Sequence, residues 1–202
     1  MFNLIIKDFI VHKNMLLIML LGIVAYMFVD TSAMLNGIIF TFAIVMHIFS
    51  ADETKPIQML LSSLPYTRKE VVTSKYIAAI VYLLLVIGVI VITNYLINQQ
   101  LPDWKAFLIV IGIVMLLVSF IFPFSYKFSS KLLLFAGIGV FVVYLFVLNF
   151  LIPNLHDEIR SMTAKLLQFN DIQIMFGVGV ALCILYLLSW LVSVKIYEKK
   201  VF

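Results

Sequence analysis

The chain has 202 residues, of which 64% are hydrophobic and 12% charged, with a formal net charge of +4. An ordinary soluble domain is about half apolar and a quarter charged, so this composition excludes a water-soluble fold and leaves the bilayer as the solvent for most of the surface. Eight Gly and five Pro leave no linker or low-complexity stretch, and a chain this short that is mostly spans reads as one membrane domain over residues 1–202.

The chain opens MFNLIIKDFIVHKN. Phe2, Ile5, Ile6 and Phe9 share one helical face, and Asn3, Lys7 and Asp8 lie largely opposite, which predicts a helix over 1–14 lying in the membrane interface. Because polar residues continue to Asn14 before the long apolar run, this start is unlike a secretory signal and the first span is expected to be retained. Apolar runs then place six spans at 15–31, 33–50, 76–97, 106–126, 132–152 and 172–194. The fold class is therefore all-α and polytopic. The first two spans are joined by a tight turn, Asp30-Thr31-Ser32, with Asp30 or Ser32 capping the second helix.

Between the second and third spans, residues 51–75 form the longest excursion on their side and the one with the densest charge. Pro56 suits a helix start, and Ile57, Leu60, Leu61 and Leu64 repeat at i, i+3, i+4 and i+7, which predicts about two turns with one apolar face. Pro65 ends it. Thr67 and Glu70 then have capping-box spacing, flanked by Tyr66 and Val71 as a hydrophobic staple, so a second helix is expected to run straight into the third span. The result is a corner carrying Asp52, Glu53, Lys55, Arg68, Lys69 and Glu70. A solvated loop whose charges only fix topology is the plainer alternative.

Beyond the fourth and fifth spans, residues 153–171 form the longest loop on the other side, where Leu155, Ile159, Met162 and Leu166 fit one face of an amphipathic helix. Counted by alternate loops, Lys7, Lys13, Lys55, Arg68, Lys69, Lys75, Lys127, Lys131, Lys195, Lys199 and Lys200 fall on one side, and Lys105, Arg160 and Lys165 on the other. That bias predicts cytoplasmic termini, and an even number of spans requires both termini to lie on one side. Basic residues that flank separate spans give no nucleic-acid surface.

Candidate chemistry is sparse. Cys183 is the only cysteine, so no disulfide can form within the chain, and it is read as a packing residue facing lipid or another helix. His12, His47 and His156 are expected far apart and on both sides, which leaves no catalytic or metal constellation. No ionisable residue is expected inside the membrane; His47 is placed about one turn from the end of its span. None of the eight Gly is followed by Lys, so the chain lacks a phosphate-cradling loop and has no cofactor of its own.

Asp52-Glu53, then Leu64-Pro65-Tyr66-Thr67-Arg68-Lys69-Glu70-Val71-Val72, then Lys75-Tyr76 resemble the permease subunits of ATP-binding-cassette (ABC) transporters of the second permease type, the exporter class, in its small bacterial members. The resemblance implies six spans, cytoplasmic termini in the cell membrane, an interfacial helix before the first span, and a coupling helix between the second and third. It also implies a dimer with a second permease, of the same or a different kind, and a separate ATPase subunit that uses the ATP. The residues expected at that ATPase contact are Asp52, Glu53, Lys55, Pro65, Thr67, Arg68, Lys69, Glu70 and Lys75. Spans lined by Phe, Leu, Ile, Val and Met lead to an expected substrate that is apolar or amphipathic, such as a peptide, a lipid-like molecule or a drug. An ion-coupled carrier and a non-transporting immunity or scaffold protein are the alternatives.

Overall fold

In hydrocarbon an unpaired backbone amide costs several kcal/mol, so an apolar segment of about 20 residues satisfies itself as a helix. The computed structural model describes residues 2–28, 32–52, 66–99, 104–128, 132, 139 and 172–199. Among them are five helices long and apolar enough to cross a membrane, and no strand. They are α1 (Phe2–Met27), α2 (Ala33–Asp52), α3 (Arg68–Asn98), α4 (Trp104–Lys127) and α5 (Ile172–Glu198). The expected span at 132–152 lies outside the described residues apart from Leu132 and Gly139, both helical. The helix expected from Pro56 to Leu64 and the outer loop at 153–171 also lie outside them.

The interfacial segment and the first span are one uninterrupted helix, α1, of 26 residues. Nothing in 2–14 would break it, since it holds neither Pro nor Gly. Leu4, Asp8, His12 and Leu16, spaced by four, form the buried stripe with Ile5 beside it, while Ile6, Ile10 and Val11 face outward. Of the charged residues in this segment only Asp8 is buried, which a lipid-solvated bundle tolerates where the charge meets partners.

Helix α3 is the hub and touches all four other helices. At 31 residues it is about 46 Å long, against a hydrocarbon core of about 30 Å, so its charged first turns extend beyond the apolar layer. Ile23, Ile44, Val86, Ile90, Val110, Val114, Val118 and Phe122 fill the core. Phe28, Leu96 and Phe176 are at least 70% exposed, a surface that only lipid or protein accommodates. Cys183 is exposed on α5 among such residues, on the lipid-facing option of the sequence reading. Gly37 lets α2 meet α4, since a Cβ there would stand 3.0 Å from Val110 Cγ1.

Ring and ion contacts fix the direction of each helix. Asp8 near the start of α1, Asp52 at the end of α2 and Lys75 near the start of α3 join in one ion cluster. Tyr126 at the end of α4 meets Phe49 of α2 and Tyr197 at the end of α5. One end of the bundle therefore gathers the starts of α1 and α3 and the ends of α2, α4 and α5. Lys7, Arg68, Lys69, Lys75, Lys127, Lys195 and Lys199 lie at this basic end, and Lys105 opens α4 at the other.

Candidate functional site at the basic end

Where α3 begins, Thr67 is the N-cap in extended conformation. Its N–H donates to Glu70 Oε2 at 2.8 Å, and the Glu70 N–H donates to Thr67 Oγ1 at 3.2 Å, so the capping box expected from the spacing is formed. Tyr66 packs with Val71 and Leu4, which places the staple as well. The chain thus enters α3 at a fixed angle.

Arg68 is the next lock. Its Nη1 donates to the carbonyls of Tyr197 at 3.3 Å and Glu198 at 2.7 Å, two of the orphan acceptors at the end of α5. The Lys69 ammonium stands 5.3 Å from the centre of the Trp190 ring, and Trp190 Nε1 donates to Thr73 Oγ1 at 3.0 Å. Both exposed cations of the sequence motif therefore touch α5, and they still face outward from the basic end.

One turn further, α3 turns its charge inward. Lys75, whose side chain is 8% exposed, donates to Asp8 Oδ2 at 2.7 Å and pairs with Asp52 of α2. Lys7 approaches the other oxygens, 3.1 Å from Asp8 Oδ1 and 3.6 Å from Asp52 Oδ1. Two lysines and two aspartates neutralise one another, which is how a buried charge set becomes tolerable. Asp8 corrects its place in the sequence reading: it was put on the solvated side of an interfacial helix, and it is 1% exposed because Lys75 lies inside the bundle to receive it.

Tyr76 points to the opposite flank. Pro123 has no N–H, so the Ser119 carbonyl four residues earlier on α4 lacks its helical donor, and Ser189 Oγ supplies one at 2.6 Å. With that proton committed, Ser189 accepts from the Tyr76 hydroxyl at 2.7 Å, and Tyr76 accepts from Ser193 at 2.7 Å. Tyr186 closes the patch by donating to the Tyr76 carbonyl at 2.7 Å. The adjacent pair Lys75-Tyr76 therefore clamps α3 to α1 and α2 on one side and to α4 and α5 on the other.

Of the residues expected at an ATPase contact, Thr67, Arg68, Lys69 and Glu70 come together at the start of α3, and Asp52 and Lys75 join inside the bundle. Glu53, Lys55 and Pro65 lie outside the described residues. His12 and His47 correct another expectation: the antiparallel pairing of α1 and α2 brings their rings to 5.7 Å, edge to face. No group of three or more metal-ligating side chains occurs among the described residues. Sequence reasoning missed Asp8, Tyr76, Ser189 and Ser193 as parts of the site. Ser189 and Ser193, spaced by four in an apolar span, were the available signal.

A bundle of antiparallel apolar helices, with a capped and ion-paired start of α3 at its basic end, defines a multi-pass membrane protein. The profile of the ABC-2 family transporter proteins matches residues 3–198, and the chain belongs to that family. The family is one of ABC transporter permeases, which work with an ATPase subunit. Comparison with curated proteins and with solved structures gave no match.

Proposed function

We propose that this chain is the membrane-spanning subunit of an ATP-driven exporter and that its basic end, residues 51–75 with the start of α3, is the handle on which a separate ATPase subunit acts. The observation that carries this is the set of contacts that hold the start of α3 to its neighbours. The capping box, the Arg68 bonds to α5 and the Lys75 ion cluster tie α3 to α1, α2 and α5, so a push there moves whole helices instead of bending a loop. Lys69 and Arg68 offer the outward charge, while Asp52 and Lys75 hold the handle in place from inside.

Six spans are part of this reading. Helix α4 ends at the basic end and α5 starts at the opposite one, so the 129–171 connection has to cross the bundle's height, and 132–152 is the apolar run able to do so. The positive end faces the cytoplasm, with both termini there. The pathway forms with a second permease subunit, and its apolar helices suit an apolar or amphipathic substrate moving outward. Opposite transport direction, or a small charged substrate, would defeat that part.

The deciding experiment is ATP hydrolysis by the reconstituted complex with Lys69→Glu. Normal membrane insertion with lost substrate-stimulated hydrolysis is expected; unchanged stimulation would remove the start of α3 from the coupling contact. Arg68 is the poorer probe because its loss also uncaps α5. The buried Asp8–Lys75 pair is the one observation favouring an ion-coupled carrier, and transport driven by an ion gradient without ATP would decide for it.

A further inference from the structure

Helices α1 and α3 do not close on each other along their whole length. Between them runs an open groove of about 440 Å³, lined by Leu16, Leu20 and Val24 of α1 and Leu85 and Val89 of α3, with Lys13 at its charged end. Lys13 is the one ionisable residue in this lining, and no acidic side chain joins it. It is exposed and makes no ion pair among the described residues, in contrast to Lys7 and Lys75 nearby, which share two aspartates.

Lys13 lies about 21 Å along α1 from Met27, at the charged end of the groove, where its long side chain can extend towards the basic end. A cation held there, on a surface open to lipid, calls for an anion at headgroup level. The groove below it is lined by apolar side chains and open along its length.

We infer that this groove is a binding site for one anionic phospholipid, with an acyl chain along Leu16, Leu20 and Val24 and its phosphate on Lys13. The inference rests on the membrane placement of α1 and α3 and is independent of the ATPase reading. Charge complementarity selects the headgroup, and the groove's shape selects a chain over a compact ligand.

The test is native mass spectrometry of the full chain released from bilayers holding phosphatidylglycerol and phosphatidylcholine in equal amounts. Wild type is expected to retain one phosphatidylglycerol in preference to phosphatidylcholine. Lys13→Gln should lower that preference about fivefold, the worth of one lysine against an anionic headgroup, and Lys13→Arg should keep it. Leu20→Trp, which fills the groove without touching the charge, should lower retention of both lipids. Equal retention of the two lipids by wild type, or an unchanged preference in Lys13→Gln, overturns the site. So does efficient disulfide cross-linking of two copies through Leu21→Cys, which would show the groove covered by protein.

Discussion

Replacing Lys75 by Met keeps the length of the side chain and removes its charge, leaving Asp8 at 1% and Asp52 at 14% exposure without their shared partner. Removing one member of a buried ion pair costs about 3–5 kcal/mol, chiefly from the charge left behind. Lys7 remains 3.1 Å from Asp8, but its side chain is 32% exposed, so its screened attraction returns only about 1 kcal/mol. The expected net cost is about 3 kcal/mol, or two powers of ten in the folding equilibrium. Unfolding in mixed detergent and SDS micelles reads it through Trp190, which packs against Thr73 of α3, in a Trp104→Phe background. The double variant Asp8→Asn/Lys75→Met should cost less than the sum of the single variants by at least about 1.5 kcal/mol. A cost below about 1 kcal/mol for Lys75→Met, or simple additivity, would refute the cluster as the tie between α1, α2 and α3.

Thr67→Ala should cost about 1 kcal/mol and speed amide exchange in the first turn of α3 alone, while Thr67→Ser leaves exchange unchanged. Tyr76→Phe removes the hydroxyl that joins Ser189 and Ser193, with an expected loss of about 0.6–1.7 kcal/mol in the same unfolding assay. Gly37→Val should destabilise by about 1–3 kcal/mol because Val110 already stands at contact with the position, whereas Gly88→Val, where a Cβ meets nothing within 4 Å, should cost much less.

What could be read from the sequence was local or compositional. The capping box at Thr67 and Glu70 is a contact between residues three apart, and the apolar runs that became α2, α3, α4 and α5 are set by the solvent. Asp8 was misplaced because its partner is 67 residues away, and one helix taken alone cannot say whether a charge faces water or a buried lysine. The same distance problem hid the His12–His47 contact and the Tyr76–Ser189 bond, whose partners are brought together only by helix pairing. The consequence of Pro123, a carbonyl served by Ser189 from α5, likewise required the neighbouring helix. The reading of residues 1–14 as a helix set apart from the first span met a different difficulty: neither Pro nor Gly interrupts the chain there, and α1 runs through without a break.

The claim on which the functional account stands is that an ATPase grips this subunit at the basic end of α3. The most direct measurement is photo-cross-linking in the assembled complex from a reactive amino acid at position 69, compared with one at position 105 at the opposite end. The account requires an adduct with the ATPase from position 69 and none from 105. An adduct from 105, or none from 69 in a complex that hydrolyses ATP, would contradict it.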